Sequence, residues 1–287
     1  MEKHTPEALV GNVVQLISLP SVYTRLEEVL KIPKHTRNDV ANVVSIDPAL
    51  CARILRIINS SYYALPNSVE SIAVAVNLIG EYDLRNMVLV TSAVNSVAAL
   101  IDAGIDMTVF WRHSIRCGIT AKLLAKFKPE IEPELLFLVG LLHDLGQLII
   151  YKGEPELSAT VTWHVRNEDK QRYQVEQIFL GFDHAIVGGL LMDSWGLSAK
   201  LREIIKYHHR PEQATQYCQE TKLIYLADQL AHFLELHAHL VDIDIEDLPV
   251  PTLVYLEDLN VSKKQLLLLL NDVMEQSRVI EEIICKA

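Results

Sequence analysis

The eight residues Leu135-Leu136-Phe137-Leu138-Val139-Gly140-Leu141-Leu142 carry no polar side chain, and they run directly into His143-Asp144 before Leu145-Gly146 and Leu148-Ile149-Ile150. A helix that is apolar on every side is enclosed by other elements rather than laid on a surface. Enclosure takes a large core. The chain has 287 residues, half of them hydrophobic, which suffices for one large domain or two smaller ones. The same segment delivers an ionisable pair into that core. An ionised carboxylate there is costly unless it is paired, hydrogen-bonded or bound to a metal. Asp144 therefore has two readings: a buried helix cap or Arg partner, or a metal ligand.

Nearly all the remaining chain shows helical rather than strand spacing. Asp47-Pro48 is an N-cap followed by a first-turn proline, with Leu50, Ile54, Ile57 and Ile58 on one face. Asn59-Ser60-Ser61-Tyr62-Tyr63 ends that helix, and Pro66-Asn67-Ser68 marks a turn. Further helices are expected from Ser71 to Gly80, from Leu84 to about Leu100 with closure at Asp102-Ala103-Gly104, and at 108–127, 134–143, 155–168, 171–180, 184–195, 198–209 and 219–239. The acidic stretch Asp242 to Pro251 is read as a connection, and the run after Ser262 as a last helix, packed on the body or at a homodimer interface. The expected fold class is all-α, a compact multi-helix arrangement. Its parts are an N-terminal helical region (1–104), a helical core carrying the site (105–240), and a linker with the C-terminal helix (241–287).

Composition narrows the function classes. With 26 Lys and Arg against 37 Asp and Glu the formal charge is −11, and no run of basic residues offsets it. Neither nucleic acid nor an anionic membrane is expected as a partner. The four cysteines lie far apart without a C-x-x-C pair, which reads as reduced thiols. The N-terminus lacks an apolar signal core and no uninterrupted apolar stretch reaches ~18 residues, so a soluble, cytoplasmic protein is expected.

Eleven histidines remain to be explained, nine of them between His113 and His239. Leu201, Ile204, Ile205 and His208 follow i, i+3, i+4, i+7, so His208 points to the core, and His209 follows it. Asp228 lies at the edge of the stripe Leu223, Leu226, Ala227, Leu230. His113 shares a stripe with Cys117, Thr120 and Leu124, while Arg112, Arg116, Lys122 and Lys126 are read as facing water. His184 opens a helix after Asp183. A lone histidine of this kind is usually a satisfied core residue. Five of them (His113, His143, His184, His208, His209) with Asp144 and Asp228 form a donor set of imidazole and carboxylate without thiolate. Such a set suits Fe or Mn first, with Ni, Zn or Mg also compatible. His4, His35, His164, His232, His237 and His239 are read as surface residues.

The order His113 … His143-Asp144 … Asp228 resembles the HD superfamily of metal-dependent phosphohydrolases, and the added His184 and His208-His209 resemble the HD-GYP branch, which hydrolyses cyclic di-GMP at a two- or three-metal centre. The resemblance implies that His113, His143, Asp144 and Asp228 hold one metal, and that His184, His208 and His209 hold a second bridged by Asp144. It also implies a coordinated water, made acidic by the metal, that attacks phosphorus. Three positions depart from that branch. Its Lys after the doublet is Gln147 here, its acidic ligand falls on Val109, and its Gly-Tyr-Pro loop reads Arg210-Pro211-Glu212. Arg210 or Lys206 are the candidates to replace the missing charge, so Asp144, Lys206 and Arg210 are the candidate catalytic residues.

The N-terminal third is similar to the HDOD family, the HD-related output domain, through Leu19-Pro20, Asp47-Pro48-Ala49-Leu50, Asn59-Ser60-Ser61-Tyr62-Tyr63, Ser71-Ile72, Ala75 and Leu78-Ile79-Gly80. That resemblance covers roughly residues 10 to 230. It implies a bacterial signalling protein with an HD-like fold, often without full catalytic equipment. Two functions follow as expectations: a regulatory module acting through signalling partners, with the metal site retained or vestigial, or an active phosphohydrolase on a nucleotide, cyclic nucleotide or cyclic dinucleotide.

Overall fold

A computed structural model describes residues 5–14, 21–60, 62–63, 65–98, 105–167, 171–237 and 248–284. The described chain is helical, with no strand: α1 (Pro6–Val14), α2 (Ser21–Leu30), α3 (Arg37–Val44), α4 (Pro48–Ile58), α5 (Ile72–Ala98), α6 (Met107–Leu124), α7 (Pro133–Leu142), α8 (Leu145–Gly153), α9 (Pro155–Asn167), α10 (Arg172–Leu180), α11 (His184–Ser194), α12 (Ala199–Tyr207), α13 (Cys218–Leu236), α14 (Val250–Asp258) and α15 (Lys263–Ile284). The all-α expectation holds. His4, His239, Leu19-Pro20, Asp102-Ala103-Gly104 and most of the 242–251 connection lie outside the described residues.

Local chemistry accounts for the N-terminal signals. The Asp47 carboxylate accepts from the amides of Ala49 and Leu50 at 3.0 Å each, and Pro48 opens α4. Asn59, past the end of α4, donates from Nδ2 to the Val69 carbonyl at 2.8 Å and accepts at Oδ1 from the Val69 amide at 2.7 Å. Its side chain thus does the work of a backbone partner and closes the loop into α5. The expected stop at Gly80 appears as a bend: φ there is +86°, a glycine conformation, and the helix resumes without a loop.

Helix α6 sits at the centre, packed against α7, α13 and α15. Gly118 and Gly140 let α6 and α7 approach until a Cβ on Gly140 would lie 2.5 Å from Gly118 Cα. The two helices bring His113 and His143 together. Helix α15 also covers cations expected to face water: Arg112 and Arg116 both reach Glu281, at 3.3 and 3.5 Å. Lys122 likewise pairs with Glu134 and lies 4.1 Å over the Tyr62 ring, whereas the Arg112 side chain stays 41% exposed and Lys126 faces water as expected. Pro251, read as part of a connection, stands in the first turn of α14, where its missing amide proton costs nothing. The continuous stretch Pro133–Gly153 is long and apolar enough to cross a membrane by length and composition, but 78% of its apolar window is buried inside the fold.

Asp83 on α5 lies close to the Lys122–Glu134 pair and is pushed up to about 6, by burial and by Glu134, with Lys122 opposing. A carboxyl raised in the folded state favours folding most below its ordinary value of 3.8, and that contribution is lost as pH rises through about 6. Asp83→Asn removes this titration. Its melting temperature minus that of the wild type should grow from about pH 4 to about pH 7; a difference constant with pH would contradict the assignment.

Candidate metal centre

Five elements converge on one buried cluster. His113 comes from α6, His143 and Asp144 from the joint between α7 and α8, His184 from the first turn of α11, His208 and His209 from the end of α12, and Asp228 from α13. Their side chains are at most 8% exposed. All seven residues expected at the site are therefore brought together.

Each is fixed by local structure. Asp183 caps α11, accepting from the Ile186 amide at 3.0 Å, and is itself held by Gln177 and Arg210. This cap sets His184 as the first helical residue. Helix α12 stops at His208, and Pro211 prevents its continuation, so the His208-His209 pair is presented from a helix end.

The hydrogen bonds fix which nitrogen of each ring faces the cluster. His143 Nδ1 donates to the Gly140 carbonyl and His208 Nδ1 to the Ile205 carbonyl, both at 2.7 Å. His184 Nδ1 donates to Glu176 at 2.6 Å, and His113 Nδ1 to Glu235 at 3.0 Å. With Nδ1 engaged outward, Nε2 of each ring faces the cluster, where a bound cation would take the place of an Nε2 proton such as the one His113 directs at Asp228, the arrangement in which outer carboxylates and carbonyls prepare metal-binding histidines.

The carboxylates sit between these nitrogens. Asp144 Oδ1 is 3.1 Å from His184 Nε2 and 3.9 Å from His208 Nε2; its Oδ2 is 3.5 Å from His143 Nε2 and 3.7 Å from His113 Nε2. Asp228 Oδ1 is 3.1 Å from His113 Nε2 and 3.8 Å from His143 Nε2, while Oδ2 faces His209 Nδ1 at 3.6 Å. Both aspartates thus span the same two groups of histidines.

Electrostatics follows the geometry. Burial alone would raise both aspartates, but the surrounding imidazoles outweigh it and hold Asp144 and Asp228 well below the usual carboxylate range. Burial opposes charge on His184 as well, yet Glu176 and Asp144 carry it up to about 10. His208 is lowered to about 4 by burial and by the neighbouring His143 and His184, and His209 is driven down by burial and His208. The two residues at the end of α12 are neutral donors at pH 7.

A metal fits this donor set. His143 Nε2, Asp144 Oδ1, His208 Nε2 and His209 Nδ1 are buried without a hydrogen-bond partner, although buried polar atoms are normally satisfied. His184 Nε2 and His209 Nε2 stand 2.8 Å apart, a separation that needs a proton or a cation between them. Two groups of donors, Asp144/His184/His208/His209 and His113/His143/Asp228, each lie within 4.8 Å of one another.

The chain matches the sequence model of the HDOD domain over residues 16–211. It belongs to the HDOD domain family. Among solved structures, this HDOD chain is similar to a Shewanella amazonensis protein provisionally named a phosphohydrolase, at 29% identity and a TM-score of 0.76, covering 96% of this chain and 98% of that one. An HDOD domain protein of unknown function from Geobacter sulfurreducens shares the fold at 24% identity and a TM-score of 0.74, covering 97% and 98%. A curated, uncharacterized Treponema pallidum protein is 22% identical over 232 residues, and the chain spans only 44% of its length.

The candidates for added positive charge do not reach the cluster. Lys206 is exposed, its ammonium 5.2 Å over the Tyr207 ring. Arg210 is committed to Asp183. Val109 is 50% exposed and contributes no donor. Four participants were missed in the sequence. Glu176 and Glu235 hold histidines, Tyr173 stacks on His209 with ring centroids 4.5 Å apart, and His232, read as a surface residue, stands 3.5 Å from Asp228 Oδ1. His232 and Glu235 carry a signal that was available, since they follow Asp228 at i+4 and i+7 on the same helix face.

Proposed function

We propose that this HDOD protein is a regulatory module of bacterial signalling that holds divalent metal in the cluster and acts by binding protein partners. The observation that carries the metal reading is the double facing of Asp144, with Oδ1 toward His184 and His208 and Oδ2 toward His143 and His113. His113, His143 and Asp228 would hold one ion and His184, His208 and His209 a second, with Asp144 common to both. Imidazole and carboxylate without thiolate favour Fe or Mn, with Ni, Zn or Mg compatible. A bound ion there would supply Lewis acidity and lower the pKa of coordinated water. Glu176 and Glu235 orient the imidazoles, and the Asp183–Arg210 pair secures the start of α11 beside the end of α12.

Regulation is preferred to hydrolysis because transfer of a phosphoryl group needs fixed positive charge at the developing oxyanion. Gln147 is neutral, Lys206 points elsewhere and Arg210 is neutralised by Asp183. The second reading, a phosphohydrolase acting on a nucleotide, cyclic nucleotide or cyclic dinucleotide, draws on the two spanning aspartates and on the name of the Shewanella relative.

Protein purified with Fe or Mn and freed of loose ions should retain metal and show no turnover of cyclic dinucleotides, phosphomonoesters or nucleoside triphosphates. Its capture of signalling proteins from cell extract should weaken on chelation. Turnover that disappears in Asp144→Asn would establish the hydrolase reading instead. Absence of metal after loading would remove both.

A further inference from the structure

The solvent side of the cluster is built by α13, on which Asp228, His232 and Glu235 share one face at i, i+4 and i+7. Asp228 is buried, while the His232 side chain is 49% exposed. The Glu235 carboxylate lies between two imidazoles: Oε1 is 3.0 Å from His113 Nδ1 and Oε2 is 3.2 Å from His232 Nδ1. The two rings lie 4.3 Å apart with 32° between their planes.

With both Nδ1 atoms donating to one carboxylate, both Nε2 atoms turn the other way, toward a single oxygen. Asp228 Oδ1 is 3.1 Å from His113 Nε2 and 3.5 Å from His232 Nε2. His232 therefore repeats from the solvent side the placement that His113 has from the interior. A plain surface ion pair between His232 and Glu235 would need only one end of the imidazole. It would leave the approach of Nε2 to an already crowded buried carboxylate without a purpose.

We infer that His232 is a further ligand of the metal held by His113, His143 and Asp228, and that Glu235 is the positioning residue for both His113 and His232. This rests on the metal-centre reading above. His232 is the ligand of that group most open to water, so it is the one that exchanges with an incoming anionic group or a solvent molecule. The other histidines, pinned in the interior, keep the ion in place meanwhile.

Cobalt(II) titrated into metal-free protein against a competing chelator, followed by its visible absorption, reads both affinity and ligand set. His232→Ala alters a half-exposed side chain, so circular dichroism should match the wild type. It should lower cobalt affinity at one of the two sites by about tenfold or more and change the intensity of that site's bands, leaving the other site as it was. Glu235→Gln should weaken the same site by about 10–100-fold, the usual effect of removing a carboxylate behind a metal-bound histidine. Wild-type affinity and spectrum in His232→Ala would overturn the inference while leaving the metal centre standing. Weakening by Glu235→Gln at the other site alone would overturn the positioning role. A wild-type protein that takes up no cobalt would overturn this inference and the centre together.

Discussion

Gly146→Ala is expected to lower the melting temperature by about 6–12 °C or to prevent folded protein from accumulating. A Cβ at this position would lie 2.0 Å from the His184 carbonyl oxygen, 2.7 Å from the Gly188 amide nitrogen and 2.9 Å from the His184 carbonyl carbon. All three are backbone atoms, so no side chain can rotate aside, and α8 must separate from α11. Overpacking in an ordinary core costs about 1–3 kcal/mol, and a backbone obstruction belongs at or beyond the upper end. At about 2–4 °C per kcal/mol for a domain of this size, that gives the stated shift. Since α8 follows Asp144 and α11 opens with His184, the separation also pulls apart the 3.1 Å contact between Asp144 Oδ1 and His184 Nε2. Gly11→Ala is the control: no atom lies within 4 Å of its Cβ, and in a helix interior the change should be neutral or stabilise by up to ~1 kcal/mol. Thermal unfolding of the two variants checks both, and a wild-type melting temperature in Gly146→Ala would show that the helices yield more readily than backbone contact allows. The glycine in the His143-Asp144-Leu145-Gly146 run is thus explained by packing alone, without a part in chemistry.

That close approach is not written in the sequence, and the divide is general. Residues whose burial is set by their own helix could be found by spacing. His208 lies on the stripe of Leu201, Ile204 and Ile205, and Asp228 beside that of Leu223 and Leu230, and both point inward. Residues whose environment is made by another element could not. Glu176 sits in the polar run Arg172-Tyr173-Gln174-Val175-Glu176-Gln177, which reads as a solvated face. It is 1% exposed because the first turn of α11 closes over it, and the His184 amide donates to it at 2.8 Å. Arg116 looked solvated for the same reason, since the helix that covers it begins 147 positions later, at Lys263. α1, α2, α3, α8 and α14 went unrecognised, since in ten residues or fewer periodicity stands out only where the ends are also marked, as Ser198 and Arg210-Pro211 mark α12. The cluster itself was legible because histidine on an apolar face is rare enough that five of them constrain one another.

Asp144→Asn should reduce tightly held metal from about two ions per chain to one or none, whereas His208→Ala should cost one ion at most. The asymmetry follows from what each side chain faces. His208 Nε2 approaches Asp144 Oδ1 alone among the two aspartates, at 3.9 Å, so its loss is confined to one half of the cluster. Asp144 offers an oxygen to each half, and an amide keeps only one of them as a donor atom. Its other end becomes an NH2 group that cannot ligate a cation. Elemental analysis after desalting reads the count. Thermal unfolding gives a second, independent readout, because an ion bound only by the folded state stabilises it by about 2.7 kcal/mol at a hundredfold excess over its dissociation constant. Wild-type protein should therefore melt roughly 5–10 °C higher with added Mn than with chelator, and Asp144→Asn should show little of that difference. Retention of both ions and of the full thermal shift in Asp144→Asn would mean that the carboxylate is held among four imidazoles for its charge alone. The centre would then be two separate sites rather than one joined by Asp144.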